Sequence, residues 1–75
     1  METFDFKALL ALSNDEFTSN FQGKRIRVTT LGKVTEGVVN AFSLSYGSGE
    51  IIGFIFDNNH SVAFSQNTVV EVLSK

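Results

Sequence analysis

The sequence predicts a mainly β domain with a short helical N-terminus: a helical segment over about residues 4–22, then a five-stranded, strongly bent small barrel over about residues 24–73. Three observations predict it. Apolar residues recur at helical spacing as far as Phe21, the period changes to two after Gly23, and the longest extended run carries Gly37 in its interior.

From Phe4 to Leu12, the residues Phe6, Leu9, Leu10 and Ala8, Ala11, Leu12 fall three and four apart, as on one face of a helix. Ser13 is followed three residues later by Glu16, so hydroxyl and carboxylate can each accept from the other's backbone amide and start a second helical turn near Asn14. Phe17 and Phe21 then share one side of that turn, and Gln22-Gly23 ends it.

Beyond Gly23, Ile26 and Val28 alternate with Arg25, Arg27 and Thr29, giving a first strand from about Lys24 to Leu31. Leu31-Gly32-Lys33 turns the chain into a second, long strand from about Val34 to Ser45, where Gly37 marks a bulge or sharp bend that lets one strand serve two sheets. Tyr46-Gly47-Ser48-Gly49 is a turn by composition, and Glu50 to Asp57 forms a third strand. Asp57-Asn58-Asn59-His60 tolerates left-handed backbone and leads into a fourth strand carrying Val62 and Phe64. A polar link, Ser65-Gln66-Asn67-Thr68, precedes the last strand, Val69 to Leu73.

Seventy-five residues leave room for one core and no second domain. Eight phenylalanines, each able to bury ~150–250 Å², are expected to build most of it. There is no cysteine, which excludes a disulfide scaffold and thiolate zinc sites and makes the cytoplasm the expected compartment. Glu2 and Asp5 stand where a signal peptide would be basic, and the apolar stretch to Leu12 is too short to span a bilayer, so secretion and membrane insertion are not expected. A net charge of −2 removes the general electrostatic case for binding polyanions.

A helix followed by five strands, with a long bent second strand and a one-turn link before the last, resembles the SH3-like small barrels and, among them, the Sm-like group. Gly37, Val39 and Phe42 look like the glycine, aliphatic and aromatic positions of the first Sm motif, and Asn67 with Val69 like the tail of the second. The resemblance implies shape and assembly through the fourth and fifth strands. It does not imply RNA binding: Ser43 and Gly47 stand where uridine-binding members carry an acidic residue and an asparagine, and Ser65-Gln66 where they carry Arg-Gly.

Catalysis needs a nucleophile with its base, paired carboxylates or a metal cluster, and the chain offers one histidine, His60, in a turn. Glu50 and Asp57 flank opposite ends of one strand, roughly 23 Å apart at about 3.3 Å per residue, too far to act as a pair. Gly47-Ser48-Gly49 neither opens a helix nor precedes a Lys-Ser/Thr pair, so it is not a phosphate loop. No enzyme activity, cofactor, metal or small-molecule substrate is expected.

Two binding surfaces stand out. The strands carrying Val62 and Phe64, and Val69, Val70 and Val72, are expected to form edges rich in β-branched residues, suited to a protein partner or a second copy of the chain. Lys24, Arg25, Arg27 and Lys33 crowd one stretch, with Tyr46 as a stacking residue, and offer weak, salt-sensitive contacts to RNA or DNA as an alternative. Both faces of Ile51-Ile52-Gly53-Phe54-Ile55-Phe56 are apolar, so a cover is expected, either the Phe6, Leu9 and Leu10 helix face or a partner. The expected function is therefore a non-catalytic binding or assembly module, either a homo-oligomer or a small adaptor or inhibitor of the bacterial or phage kind docking on a larger protein.

Overall fold

Residues 2–74 are described by the computed structural model, in the order β1 (Glu2–Asp5), α1 (Phe6–Leu10), α2 (Asn14–Phe21), β2 (Arg25–Thr30), β3 (Lys33–Leu44), β4 (Ile51–Phe56), β5 (Ser61–Ala63) and β6 (Val69–Ser74). The class is mainly β, as expected, but these residues form six strands, not five. They make one antiparallel sheet in the order β1-β6-β2-β3-β4-β5, which curls without closing into a barrel. Among them no helix is long and apolar enough to cross a membrane.

The additional strand lies where the sequence predicts helix. Phe4 pairs with Val70 and Asp5 with Val69, while Phe4 sets its ring edge-on to Phe21 at 5.1 Å. A single amphipathic turn is marginal by itself. Here the β6 edge supplies ladder partners that the local sequence does not reveal. Helix begins only after Asp5, whose carboxylate accepts from the Ala8 amide at 2.8 Å. The capping box forms as expected: Glu16 N donates to Ser13 Oγ at 3.2 Å and Ser13 N to Glu16 Oε1 at 3.0 Å.

β2 and β3 form a hairpin in which Thr30 faces Lys33 across Leu31 and Gly32. Both turn residues have positive φ, +51° and +79°, the combination of a type I′ turn. Glycine meets that demand without cost. Leu31 does not, and it is also 77% exposed.

β3 pairs with β2 from Lys33 to Val38 and with β4 from Val39 to Leu44, so the expected division of one strand between two half-sheets is present. The bulge is not at Gly37, however. Register there is regular, and the irregularity falls between Val39 and Ala41. What Gly37 supplies is space, since a Cβ on it would lie 2.9 Å from Cγ of Phe56. A second irregularity leaves Ile52 out of register, so that Ile51 and Phe54, an odd number of residues apart, both reach the core. That bulge accounts for Ile51, while Ile52 is exposed and Ile55 half-buried.

The core is largely aromatic. Phe54 meets Phe17, Phe21, Phe42 and Phe64 at ring-centroid distances of 6.4, 5.1, 6.0 and 5.0 Å, mostly edge to face. Of the expected helical cover, Leu9 is buried, Phe6 is half-buried and Leu10 is exposed, and α2 contributes more through Phe17 and Phe21. Buried Thr68 ties the β5–β6 link to β2: its Oγ1 accepts from Ser65 N at 2.8 Å and lies 3.0 Å from Thr30 Oγ1.

Two stability predictions follow from this packing. Phe54→Ala should cost about 3–5 kcal/mol in urea denaturation, enough to unfold most of so small a domain. Leu31→Asn should do the opposite, raising the urea midpoint by the equivalent of roughly 1 kcal/mol, because asparagine tolerates left-handed backbone.

Candidate strand-addition site

The two surfaces expected from the sequence are both rearranged by the topology. β6 is not an edge. It lies between β1 and β2, with Val70 and Val72 buried in the core and Val69 about one-third exposed. Phe64 lies just past β5, its ring parallel to Phe17 at 5.8 Å and edge-on to Phe54, so it is core-facing as well. Val62, half-buried in β5, is the residue of the five that stands on a true edge strand.

The basic residues do not form one patch. Arg25 and Arg27 share a face of β2, but Lys33, opposite Thr30, projects from the other face. Glu36 stands across from Arg27 on β3 and Glu71 across from it on β6. Arg27 Nε donates to Glu36 Oε2 at 3.0 Å, Arg27 Nη1 lies 3.5 Å from Glu71 Oε1, and Arg25 Nη2 lies 3.7 Å from Glu36 Oε1. The hydrogen bond to Glu36, then its charge, holds the Arg27 pKa above its ordinary value. Lys24 Nζ donates to the Ser19 carbonyl at 3.0 Å, and Tyr46 is fully exposed in the β3–β4 turn. Charges spent on cross-strand acids attract phosphate weakly.

The sheet has two edge strands, β1 and β5, and β5 is the one that lines a cavity. Phe56 N donates to the His60 carbonyl at 2.8 Å and Phe64 N to the Ile52 carbonyl at 2.9 Å, with Val62 opposite Phe54 between them. Even-numbered residues therefore turn their backbone groups toward β4. By the alternation of an antiparallel ladder, the N–H and C=O of Ser61 and Ala63 point away from the sheet. Neither has a hydrogen-bond partner across that edge among the described residues. Gly53 lets β5 lie close, because a Cβ there would collide with the Val62 carbonyl oxygen.

Beside this edge lies a cavity of about 490 Å³. Val28, Thr30, Lys33 and Thr35 of the hairpin line one side, Ser61, Val62 and Ala63 of β5 the other, and exposed Leu31 and His60 complete the lining. The His60 ring runs parallel to Phe56 at 6.5 Å. The sequence points to the Val62 strand as an edge but not to the cavity beside it, because hairpin tip and β5 are some thirty residues apart. One local signal was available: a two-residue turn at Leu31-Gly32 puts Lys33 on the face of Thr30, away from the arginines.

If Glu36 and Glu71 neutralise the basic strand, the Glu36→Gln, Glu71→Gln double variant should gain affinity for single-stranded DNA, and raised salt should abolish the gain. Fluorescence anisotropy of a labelled oligonucleotide checks this. Equal binding by variant and parent would show that the acids do not mask the arginines.

No protein-family model, curated protein or solved structure matches the chain.

Proposed function

We propose that this domain is a non-catalytic protein-binding module that takes up an extended segment of a partner as a further strand on β5. The observation that carries the reading is the outward-facing, unpartnered backbone of Ser61 and Ala63 beside a cavity able to receive side chains. Main-chain hydrogen bonds would supply general affinity, and the pocket for alternate side chains would supply selectivity.

The strand order β6-β2-β3-β4-β5 and the bend of β3 support the likeness to SH3-like and Sm-like small barrels. Ring assembly of the kind that likeness implies would need the outer edge of β6, and β1 already occupies it. Strand addition at β5 needs no such displacement. The nucleic-acid reading has less support, because Arg25 and Arg27 face acids and Lys33 lies on the opposite face.

Ala63→Pro tests the proposal. Proline removes an N–H that points away from β4, so the Val62–Phe54 pairing and the circular dichroism spectrum should persist. Peptides selected on the parent protein from a random library should bind the variant at least about tenfold more weakly, the loss of one or two main-chain hydrogen bonds. Equal binding by a folded variant would rule out strand addition at this edge.

A further inference from the structure

We propose that the segment received on β5 is acidic as well as extended, with one apolar side chain filling the cavity and a carboxylate two residues away meeting Lys33. This rests on the strand-addition reading and gives it a ligand class.

The charge distribution points this way. The cavity lining contains one cation, Lys33, and no Asp or Glu. Among the described residues Lys33 makes no ion pair, whereas Arg25 and Arg27 are held by Glu36 and Glu71 on the other face of the hairpin. The chain's net charge is −2, yet this groove is locally positive. A carboxylate arriving there would meet an exposed ammonium that is not engaged in an ion pair, an attraction that added salt screens.

The spacing follows from strand geometry. A segment paired to the Ser61 and Ala63 edge turns every second side chain toward the face of Val62, and such neighbours lie about 6.6–6.8 Å apart. One enters the cavity beside Val28 and Val62, and the next reaches along the hairpin toward Lys33. Leu31 supports an apolar contact at the same place. It is disfavoured in the free protein twice over, by a φ of +51° and by 77% exposure, and a bound segment would relieve the second.

The test uses the full chain and two acetylated, amidated hexapeptides, Thr-Leu-Thr-Glu-Thr-Leu and its counterpart with lysine for glutamate. Binding is read by titration calorimetry at about 20 mM and about 500 mM salt, where the Debye length is roughly 20 Å and roughly 4 Å. The acidic peptide should bind roughly tenfold more tightly at low salt, the difference should shrink at high salt, and Lys33→Glu should reverse the order. Leu31→Asn should weaken both peptides while leaving the protein folded.

If both peptides bind equally and Ala63→Pro abolishes both, strand addition stands and the acidic preference is overturned. If neither binds, both proposals fail. A parent protein that self-associates and becomes monomeric on Ala63→Pro would make a second copy the occupant, and would also overturn the inference.

Discussion

The approach of the Phe56 ring to the bare backbone of Gly37 is the contact on which the rest of the structure depends. It lies just before the point where β3 changes partner, from β2 at Val38 to β4 at Val39, so that β2 and β4 are each paired to a different half of the strand. Any side chain at Gly37 would meet a buried ring, so the bend and the aromatic packing come as one feature. Phe54 then organises the interior, with four aromatic neighbours drawn from α2, β3 and the end of β5.

Aromatic packing fills one end of the concave interior and leaves the other open. Helix α2 brings Phe17 and Phe21 to the end near Phe54, while the end beneath the β2–β3 tip is lined by Val28, threonines and β5. Small sheets must manage two edges, each a template for unwanted pairing. Here both edge strands are short, four residues in β1 and three in β5, and of the two it is β5 that stands beside the cavity. Shortness limits accidental pairing there, yet it leaves enough main chain for a directed contact.

Electrostatics reinforces that asymmetry. On the outer face, Glu36, Arg27 and Glu71 form a row across β3, β2 and β6, an arrangement of opposite charges that holds neighbouring strands in register. On the inner face, Lys33 has no such partner among the described residues. Two faces of one hairpin thus carry similar basic residues in different states, one set internally neutralised and the other exposed to an incoming group.

Much of the architecture was legible along the chain because it is encoded locally. The capping box at Ser13 and Glu16, the alternation around Ile26 and Val28, the turn at Asn58-Asn59 and the aromatic residues of the core each depend on neighbours a few positions away. The sequence by itself determined a mainly β domain with Phe17, Phe21 and Phe54 available to its interior and a long strand shared between two half-sheets. Only the tertiary structure decided that Phe4 belongs to a strand, that Val70 and Val72 are interior, that Lys33 parts company with the arginines, and that of the two strands expected as edges β5 is one and β6 is not. Those outcomes depend on which distant segment occupies each strand's hydrogen-bonding edge, and the same short amphipathic stretch serves as helix or strand according to the partner it finds.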